Sequence, residues 1–181
     1  MINATTTRTR RLMLSAALLC TALVACGEDD GTDDGGSTAT AEVSGAVSAD
    51  GLVLSGEPGS DLEGAILTVP AGALPEGVMV TMTTIDASTL PPLPDGGLSV
   101  GPLINVKAEG DAAPSAAFTL KVPYDAELVA QQGQDGIQVK VWHRPPEGWA
   151  LLNPTTASGE GATVSVEAEA FTTFGAGIEV P

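Results

Sequence analysis

Basic residues are scarce in this 181-residue chain. Seven lysines and arginines stand against 23 aspartates and glutamates, which gives a formal charge of −16. Arg8, Arg10 and Arg11 lie near the start, and the next basic residue along the chain is Lys107. A chain without a basic patch does not attract the phosphates of nucleic acid or an anionic lipid surface. We therefore expect no nucleic-acid partner.

Cysteine and histidine are fewer still. The chain has two cysteines, Cys20 and Cys26, and one histidine, His143. Zinc sites in proteins are built mainly from several cysteine and histidine ligands, which this chain cannot assemble. No glycine-rich loop that could cradle a phosphate follows a strand and opens a helix. We expect no metal, no cofactor and no catalytic residue.

Long hydrophobic runs are also absent, apart from one near the N-terminus. Residues 12–25 read LMLSAALLCTALVA, carry no charge and follow the three arginines. As a helix this run would span about 21 Å, short of the roughly 30 Å hydrocarbon core of a bilayer. A positive start, a short apolar run and small residues at its end are typical of a secretory signal peptide.

The end of that run carries a more specific motif. Leu23, Val24, Ala25 and Cys26 resemble the lipobox of bacterial lipoproteins. The resemblance implies that signal peptidase II removes residues 1–25, that the Cys26 thiol carries a diacylglycerol, and that its freed amine is acylated. A second acyl chain makes such an anchor stable, since one chain binds membranes only marginally. The alternative is an ordinary signal peptide that happens to contain Cys26.

The lipobox resemblance also bears on location. It places the processed chain in the bacterial cell envelope, anchored to a membrane through Cys26. The following residue is Gly27, whereas in enteric bacteria an aspartate there favours retention in the inner membrane. The outer membrane is therefore the favoured location. Cys20 would be discarded, so the processed chain would have no second cysteine for a disulfide.

Residues 26–42 are predicted to be the acylated cysteine and a flexible acidic linker. Gly27 to Ala41 reads GEDDGTDDGGSTATA and has no large apolar side chain to bury. A coil of about 15 such residues spans roughly 20–25 Å. Calcium binding is the alternative, but the run lacks the spaced aspartates and the closing glutamate of a calcium loop. Loss of the three arginines leaves four basic residues and a charge of −19.

Residues 43–181 show alternation with period two. Apolar residues alternate with polar ones in runs such as Thr163 to Ala170, Phe118 to Val122, Ile104 to Glu109 and Ile137 to Val141. Clusters of glycine and proline separate the runs and are interpreted as turns. One short helix is predicted after Asp125, its N-cap. The pattern predicts a single all-β domain, an antiparallel β-sandwich.

Three stretches in order resemble the ZU-five domain, a β-sandwich module shared by zonula occludens proteins, netrin receptors and ankyrins. The stretches are LTVPAGALPEGVMVTM at 67–82, GPLINVKAEGDAAPSAAFTLKVPYD at 101–125, and VKVWHRPPEGWALL at 139–152 followed by EAEAFTTFGAG at 167–177. The resemblance covers residues 50–180. It implies a binding or scaffolding role, and in some members self-cleavage at a His-Phe-Ser sequence.

The positions that match this His-Phe-Ser sequence are Ala170, Phe171 and Thr172. Thr172 is a candidate nucleophile, but Ala170 replaces the histidine that would assist it, and an unassisted hydroxyl is weak. His143 would have to serve as the general base of any serine- or threonine-type hydrolase. We instead expect His143 to lie at the edge of the core. A pair of carboxylates acting as a glycosidase is a further alternative.

Trp142 is the candidate residue of a binding surface. It alternates with Val139 and Val141 and so lies on the opposite face of its strand, as a stacking platform or as part of a packed contact. Of the two, packing is the expectation. The resulting hypothesis is a non-catalytic sandwich that binds or scaffolds an unknown envelope or extracellular protein. The alternatives are a carbohydrate-binding module, in which glycan binding would quench the fluorescence of Trp142 or Trp149, and a self-processing or hydrolytic domain.

Overall fold

The computed structural model describes residues 40–135, 138–152, 156–158 and 161–180. The predicted signal peptide, the lipobox with Cys26, and the linker as far as residue 39 lie outside the described residues, as does Ile137. The first described strand begins at Glu42, one residue before the predicted start of the domain.

Eleven strands and one α-helix follow each other along the described residues. The strands are β1 Glu42–Ala46, β2 Gly51–Ser55, β3 Ile66–Pro70, β4 Met79–Ile85, β5 Gly97–Ala108, β6 Phe118–Pro123, β7 Lys140–Arg144, β8 Ala150–Leu152, β9 Thr156–Ser158, β10 Thr163–Ala168 and β11 Thr173–Glu179. The helix α1 spans Ala126–Gln131 and lies between β6 and β7.

The strands form two antiparallel sheets that pack on each other. Sheet A has the order β1-β4-β5-β11-β7-β8, and sheet B has the order β2-β3-β6-β10-β9. The end strands of the two sheets are consecutive along the chain. Strand β1 of sheet A is followed by β2 of sheet B, and β8 of sheet A is followed by β9 of sheet B. The predicted all-β antiparallel sandwich is confirmed.

The inner faces of the two sheets are the apolar faces that the alternation predicts. On β6, β10 and the last five residues of β5 every second side chain is buried; these residues are Phe118, Leu120, Val122, Val164, Val166, Ala168, Ile104, Val106 and Ala108. The core is mostly aliphatic, with an aromatic group where the rings of Phe118 and Phe174 meet edge to face at 6.0 Å. Burial of these faces supplies most of the energy that holds the sheets together.

The predicted helix is present with its predicted cap. The Asp125 carboxylate accepts hydrogen bonds from the backbone N–H groups of Glu127, at 2.9 Å, and Leu128, at 3.0 Å. These bonds satisfy two N–H groups that a helix start leaves without a partner inside the helix. The helix buries Val129 alone among its residues.

Strand β11 is buried on both faces along most of its length. All six residues from Thr173 to Ile178 are buried, with Phe174, Ala176 and Ile178 in the core. On the outer face, a Cβ at Gly175 would lie 2.4 Å from Leu103, and one at Gly177 would lie 2.8 Å from Leu93 and 3.0 Å from Trp142. These glycines pack against side chains, so the interpretation of the glycines as turn residues alone was wrong.

The residues that cover β11 come from a proline-rich loop. The chain from Asp86 to Gly96 connects β4 to β5, contains short 3-10 turns at Ala87–Thr89 and Pro94–Gly96, and carries Leu93. The indole N–H of Trp149 donates to the carbonyl of Pro91 at 2.9 Å. The loop therefore lies over sheet A and is hydrogen-bonded to the segment just before β8.

Truncation of one core valine and of one surface valine should distinguish the effect of burial on stability from the effect of the residue type. Val166 is fully buried and Val53 is 63% exposed. We expect Val166→Ala to lower the free energy of unfolding by about 2 kcal/mol, since it removes buried methyl groups and leaves a cavity. Val53→Ala should change it by less than about 0.5 kcal/mol. Urea unfolding measures both, and equal losses would contradict the described packing.

Candidate functional site

Strand β2 combines an end position in its sheet with an uncharged sequence. It lies at the end of sheet B and pairs only with β3, in the antiparallel register Val53 to Thr68. Its sequence GLVLS contains no charged residue and no proline. Leu54 is buried in the core, while Val53 on the other face is 63% exposed. Edge strands are normally protected by charges, prolines or bulges, and β2 has none of these.

The backbone groups on the open side of β2 follow from its hydrogen bonds. Gly56 donates its N–H to the carbonyl of Ala65 at 2.9 Å, and Gly51 exchanges two 3.0 Å hydrogen bonds with Ser48. In an antiparallel pair, residues bond alternately to one neighbour and to the other side. Leu52 and Leu54 therefore bond to β3, and the N–H and C=O groups of Val53 and Ser55 point away from the sheet.

The other end strands are either charged or shorter than β2. Strand β1, the end strand of sheet A, carries the exposed carboxylate of Glu42. Strand β8, at the opposite end of sheet A, has only three residues, although Leu151 is 41% exposed. Strand β9 also has three residues. A five-residue uncharged edge is thus the feature of β2 that sets it apart.

The surroundings of β2 are acidic. Asp50 comes immediately before the strand, Glu57 follows two residues after it, and Asp61 and Glu63 lie in the next turn. All four are exposed. The nearest basic residue along the hydrogen-bonded ladder is Lys121, which is in register with Ile66 two strands away from the β2 edge. At about 4.8 Å per strand this is roughly 10 Å.

Trp142, the predicted candidate of a binding surface, is not an exposed platform. It does lie on the outer face of sheet A, opposite to the buried Val141, as the alternation predicts. However, it is only 4% exposed, because Leu93 and the backbone at Gly177 cover it. Its indole N–H has no hydrogen-bond partner among the described residues. Trp142 therefore packs beneath the loop and presents no stacking surface.

Trp149 is partly exposed and lines a cleft of about 200 Å³ together with Pro91, Pro92 and Leu93. Its only polar atom, the indole N–H, already donates to Pro91 within this cleft. The cleft is thus lined mainly by apolar side chains, which is unlike the several free hydrogen-bonding groups that a sugar site needs.

His143 lies at the margin of the core. Its ring stacks on that of Phe174 with centroids 6.3 Å apart, and it lines a cleft of about 490 Å³ with Glu167 and Glu169. Burial lowers the pKa of His143 below its usual 6.5, because the charged ring loses hydration. The structure records no hydrogen bond to the ring from the described residues. His143 therefore packs against Phe174 at the margin of the core, as expected.

Thr172 lies between β10 and β11, immediately before β11 pairs with β7. Its hydroxyl donates to the carbonyl of Arg144, and its own carbonyl accepts from the N–H of Val106 at 2.9 Å. It lines a cleft of about 330 Å³ with Ala170, Phe171 and Lys107, and Ala170 also lines the cleft of His143. The hydroxyl of Thr172 is thus bonded to the backbone of β7, and no hydrogen bond between it and the His143 ring is recorded among the described residues.

No cluster of three or more histidine, cysteine, aspartate or glutamate side chains that could hold a metal ion is found among the described residues. Within the same ranges, no helix has both the length and the apolar character of a transmembrane span. The predicted lipidation residue Cys26 and the predicted cleavage-site residues Leu23, Val24 and Ala25 precede residue 40 and lie outside the described ranges.

The position of His143 predicts a pH dependence of stability. Its pKa is lower in the folded chain than in the unfolded one, so below about pH 6.5 the unfolded state binds a proton that the folded state does not yet accept. The free energy of unfolding should therefore fall as the pH drops from 7.5 towards 5. Below the folded-state pKa, this contribution levels off.

Urea unfolding of the wild type and of His143→Gln at several pH values measures this contribution. The variant should show a shallower fall between pH 7.5 and 5, whatever its absolute stability. Asp86, whose pKa is lowered by its hydrogen bonds to Ser88, titrates below this window and does not interfere. Parallel curves for the two proteins would show that His143 is not buried in the manner described.

No model of a known protein family matches the chain, and no curated protein matches its sequence. The resemblances to the lipobox and to the ZU-five domain therefore stay predictions that rest on the residues quoted for them. The β-sandwich fold does not depend on these resemblances, because the structure shows it directly.

Proposed function

We propose that this chain is a lipid-anchored lipoprotein of the bacterial cell envelope that presents a non-catalytic β-sandwich for protein binding or scaffolding. In this proposal Cys26 carries the acyl chains, and residues 26–42 connect the anchor to the sandwich. The charged start, the apolar run and the lipobox residues support the anchor. The outer membrane is the favoured location because Gly27 follows the cysteine.

One observation supports the binding role above the others: the open, uncharged edge of β2. Protein partners commonly add an extended strand to such an edge, where backbone hydrogen bonds give affinity and neighbouring side chains give specificity. Val53 supplies an exposed apolar side chain at the centre of this edge. The outward N–H and C=O groups of Val53 and Ser55 supply the hydrogen bonds.

The arrangement of the other candidate residues favours binding over chemistry. A hydrolase or self-cleaving domain would need a base that accepts the proton of Thr172, whereas the Thr172 hydroxyl donates to the backbone carbonyl of Arg144. A sugar-binding surface would need an exposed aromatic ring with free hydrogen-bonding groups beside it. Trp142 is covered, and Trp149 lines a mainly apolar cleft in which its indole N–H already donates to Pro91. The function therefore rests on the edge of the sandwich rather than on a pocket.

Replacement of each cysteine in turn tests the anchor. In a bacterial host, the wild type and Cys20→Ala should both be found in the membrane fraction, as chains that begin at Cys26 and carry the added mass of acyl groups. Cys26→Ala should carry no acyl mass, because the thiol that forms the lipid linkage is missing. Fractionation followed by intact-mass spectrometry measures all three.

The same spectra test the absence of self-processing. A wild-type chain that is whole from Cys26 to Pro181 agrees with a non-catalytic domain. Two fragments divided next to Phe171 would show that Thr172 attacks the preceding carbonyl. An unacylated wild-type chain in the soluble fraction would overturn the anchor.

Site-specific photo-crosslinking in cells that naturally make the protein tests the binding role. A benzophenone side chain at position 53 should give a defined adduct with another protein. The same group at position 167 should not, since Glu167 lies on the same outer face of sheet B but three strands from β2. Ser55→Pro should abolish the adduct at position 53, because it removes an outward N–H. Equal adducts at both positions, or an adduct unaffected by Ser55→Pro, would contradict edge binding.

A further inference from the structure

We infer that the β2 edge accepts an extended segment of another protein that is apolar at its centre and basic at both ends, and that pairs antiparallel with residues 53–55. This inference rests on the proposed binding function and names the chemistry of the partner. Its evidence is the spacing of the outward backbone groups, the side chains beside them and the sign of the surrounding charge.

The backbone limits the length of the pairing. Val53 and Ser55 point outward, whereas the outward groups of Gly51 are already bonded to Ser48. An antiparallel partner can therefore form two closely spaced pairs, or about four hydrogen bonds. Pairing this short gives little affinity by itself, so the side chains and charges around it must supply the rest.

The side chains beside those groups call for an apolar centre in the partner. A partner residue directly opposite Val53 lies on the same outer face and contacts its exposed side chain. A residue opposite Leu54 lies on the inner face, where Leu54 is buried and Leu52 is half-buried against the core. Two or three alternating β-branched residues fit both faces.

The charges around the strand require basic ends. Asp50 lies at one end of β2 and Glu57 at the other, both exposed, with Asp61 and Glu63 in the following turn. The sequence has no lysine or arginine between Arg11 and Lys107, so every charge from β1 to β4 is negative. A partner with lysine or arginine flanking its apolar centre meets a carboxylate at each end, which steers and orients the encounter.

The same charges disfavour a second copy of this chain as the occupant. An antiparallel β2–β2 pair centred on Val53 would place Asp50 of one copy opposite Gly56 of the other, one residue from Glu57, at both ends. Carboxylates brought this close repel each other. The high negative charge of the whole chain adds to this repulsion.

Peptide binding to the full-length protein in detergent tests the inference. The probes are two fluorescent nine-residue peptides with the same alternating valine and threonine centre, one with lysine at both ends and one with glutamate. We expect fluorescence anisotropy to give a dissociation constant at least tenfold lower for the lysine-ended peptide. Val53→Pro should weaken its binding at least tenfold, since it removes an outward N–H, whereas Val53→Ala, which keeps that N–H, should weaken it less.

A charge-reversal variant tests the ends without touching the strand. Asp50→Lys combined with Glu57→Lys should bind the glutamate-ended peptide more tightly than the lysine-ended one. Both positions are exposed, so the variant should fold even if Val53→Pro does not. Equal binding of the two peptides by the wild type would overturn the basic chemistry of the partner. Equal binding of the lysine-ended peptide by Val53→Pro and Val53→Ala would overturn backbone pairing.

Three further outcomes lead to different conclusions. Sedimentation that shows a wild-type dimer and a Val53→Pro monomer would overturn the inference in favour of a second copy. If neither peptide binds while the crosslink at position 53 still forms and depends on Ser55, the basic segment is the wrong partner and the proposed binding function survives. If that crosslink is also missing, the proposed function fails with it.

Discussion

Burial of β11 on both faces is the constraint on which the arrangement of the rest depends. Its inner face carries Phe174, Ala176 and Ile178 into the core between the sheets. Its outer face carries Gly175 and Gly177, and the missing side chains leave room for Leu103, Leu93 and Trp142 to lie directly on the strand. A central strand covered in this way fixes its neighbours β5 and β7 from both sides.

This second layer explains what sheet A can present. Leu103 and Trp142 are buried but do not belong to the main core cluster, because they lie on the other side of the sheet under the proline-rich loop. The loop covers the middle of the outer face, and Trp149 is hydrogen-bonded to it. An aromatic side chain that would mark a ligand site on many sandwiches here has a packing role. The proposed binding role is therefore assigned to an edge.

The sequence alone was sufficient to predict which residues form the core, but not to predict which strand lies at an open sheet edge. Alternation with period two identifies the residues that face inward on β5, β6 and β10, since that pattern depends on each strand by itself. It also assigns Trp142 to the outer face, but it cannot show that a loop some 50 residues earlier covers that face. Gly175 and Gly177 look like turn residues in sequence, and only the packing around them reveals their role. Strand β7 shows the usual weakness at boundaries, since it begins at Lys140 rather than at Ile137.

Edge position is likewise not a local property. Strand β2 reads as a short apolar segment, and nothing in GLVLS shows that it lies at the end of a sheet. Its place follows from long-range pairing, because β3 bonds to β6 on its other side, and β6 to β10. A short, uncharged strand bounded by Asp50 and Glu57 is the only signal that the sequence offered, and it became meaningful once the strand order was known.

The carboxylates around β2 and its position at the end of sheet B act together. An open edge without lysine or proline invites pairing between copies, and a membrane anchor would raise that risk, since it concentrates the copies in two dimensions. On β2 the protection lies outside the strand: carboxylates at both ends and a strongly negative chain repel an identical edge while leaving the backbone groups open. This arrangement discriminates by charge instead of by blocking the edge. Selectivity of that kind disfavours self-association and favours partners of opposite sign, which is the physical basis for expecting a basic segment at residues 53–55.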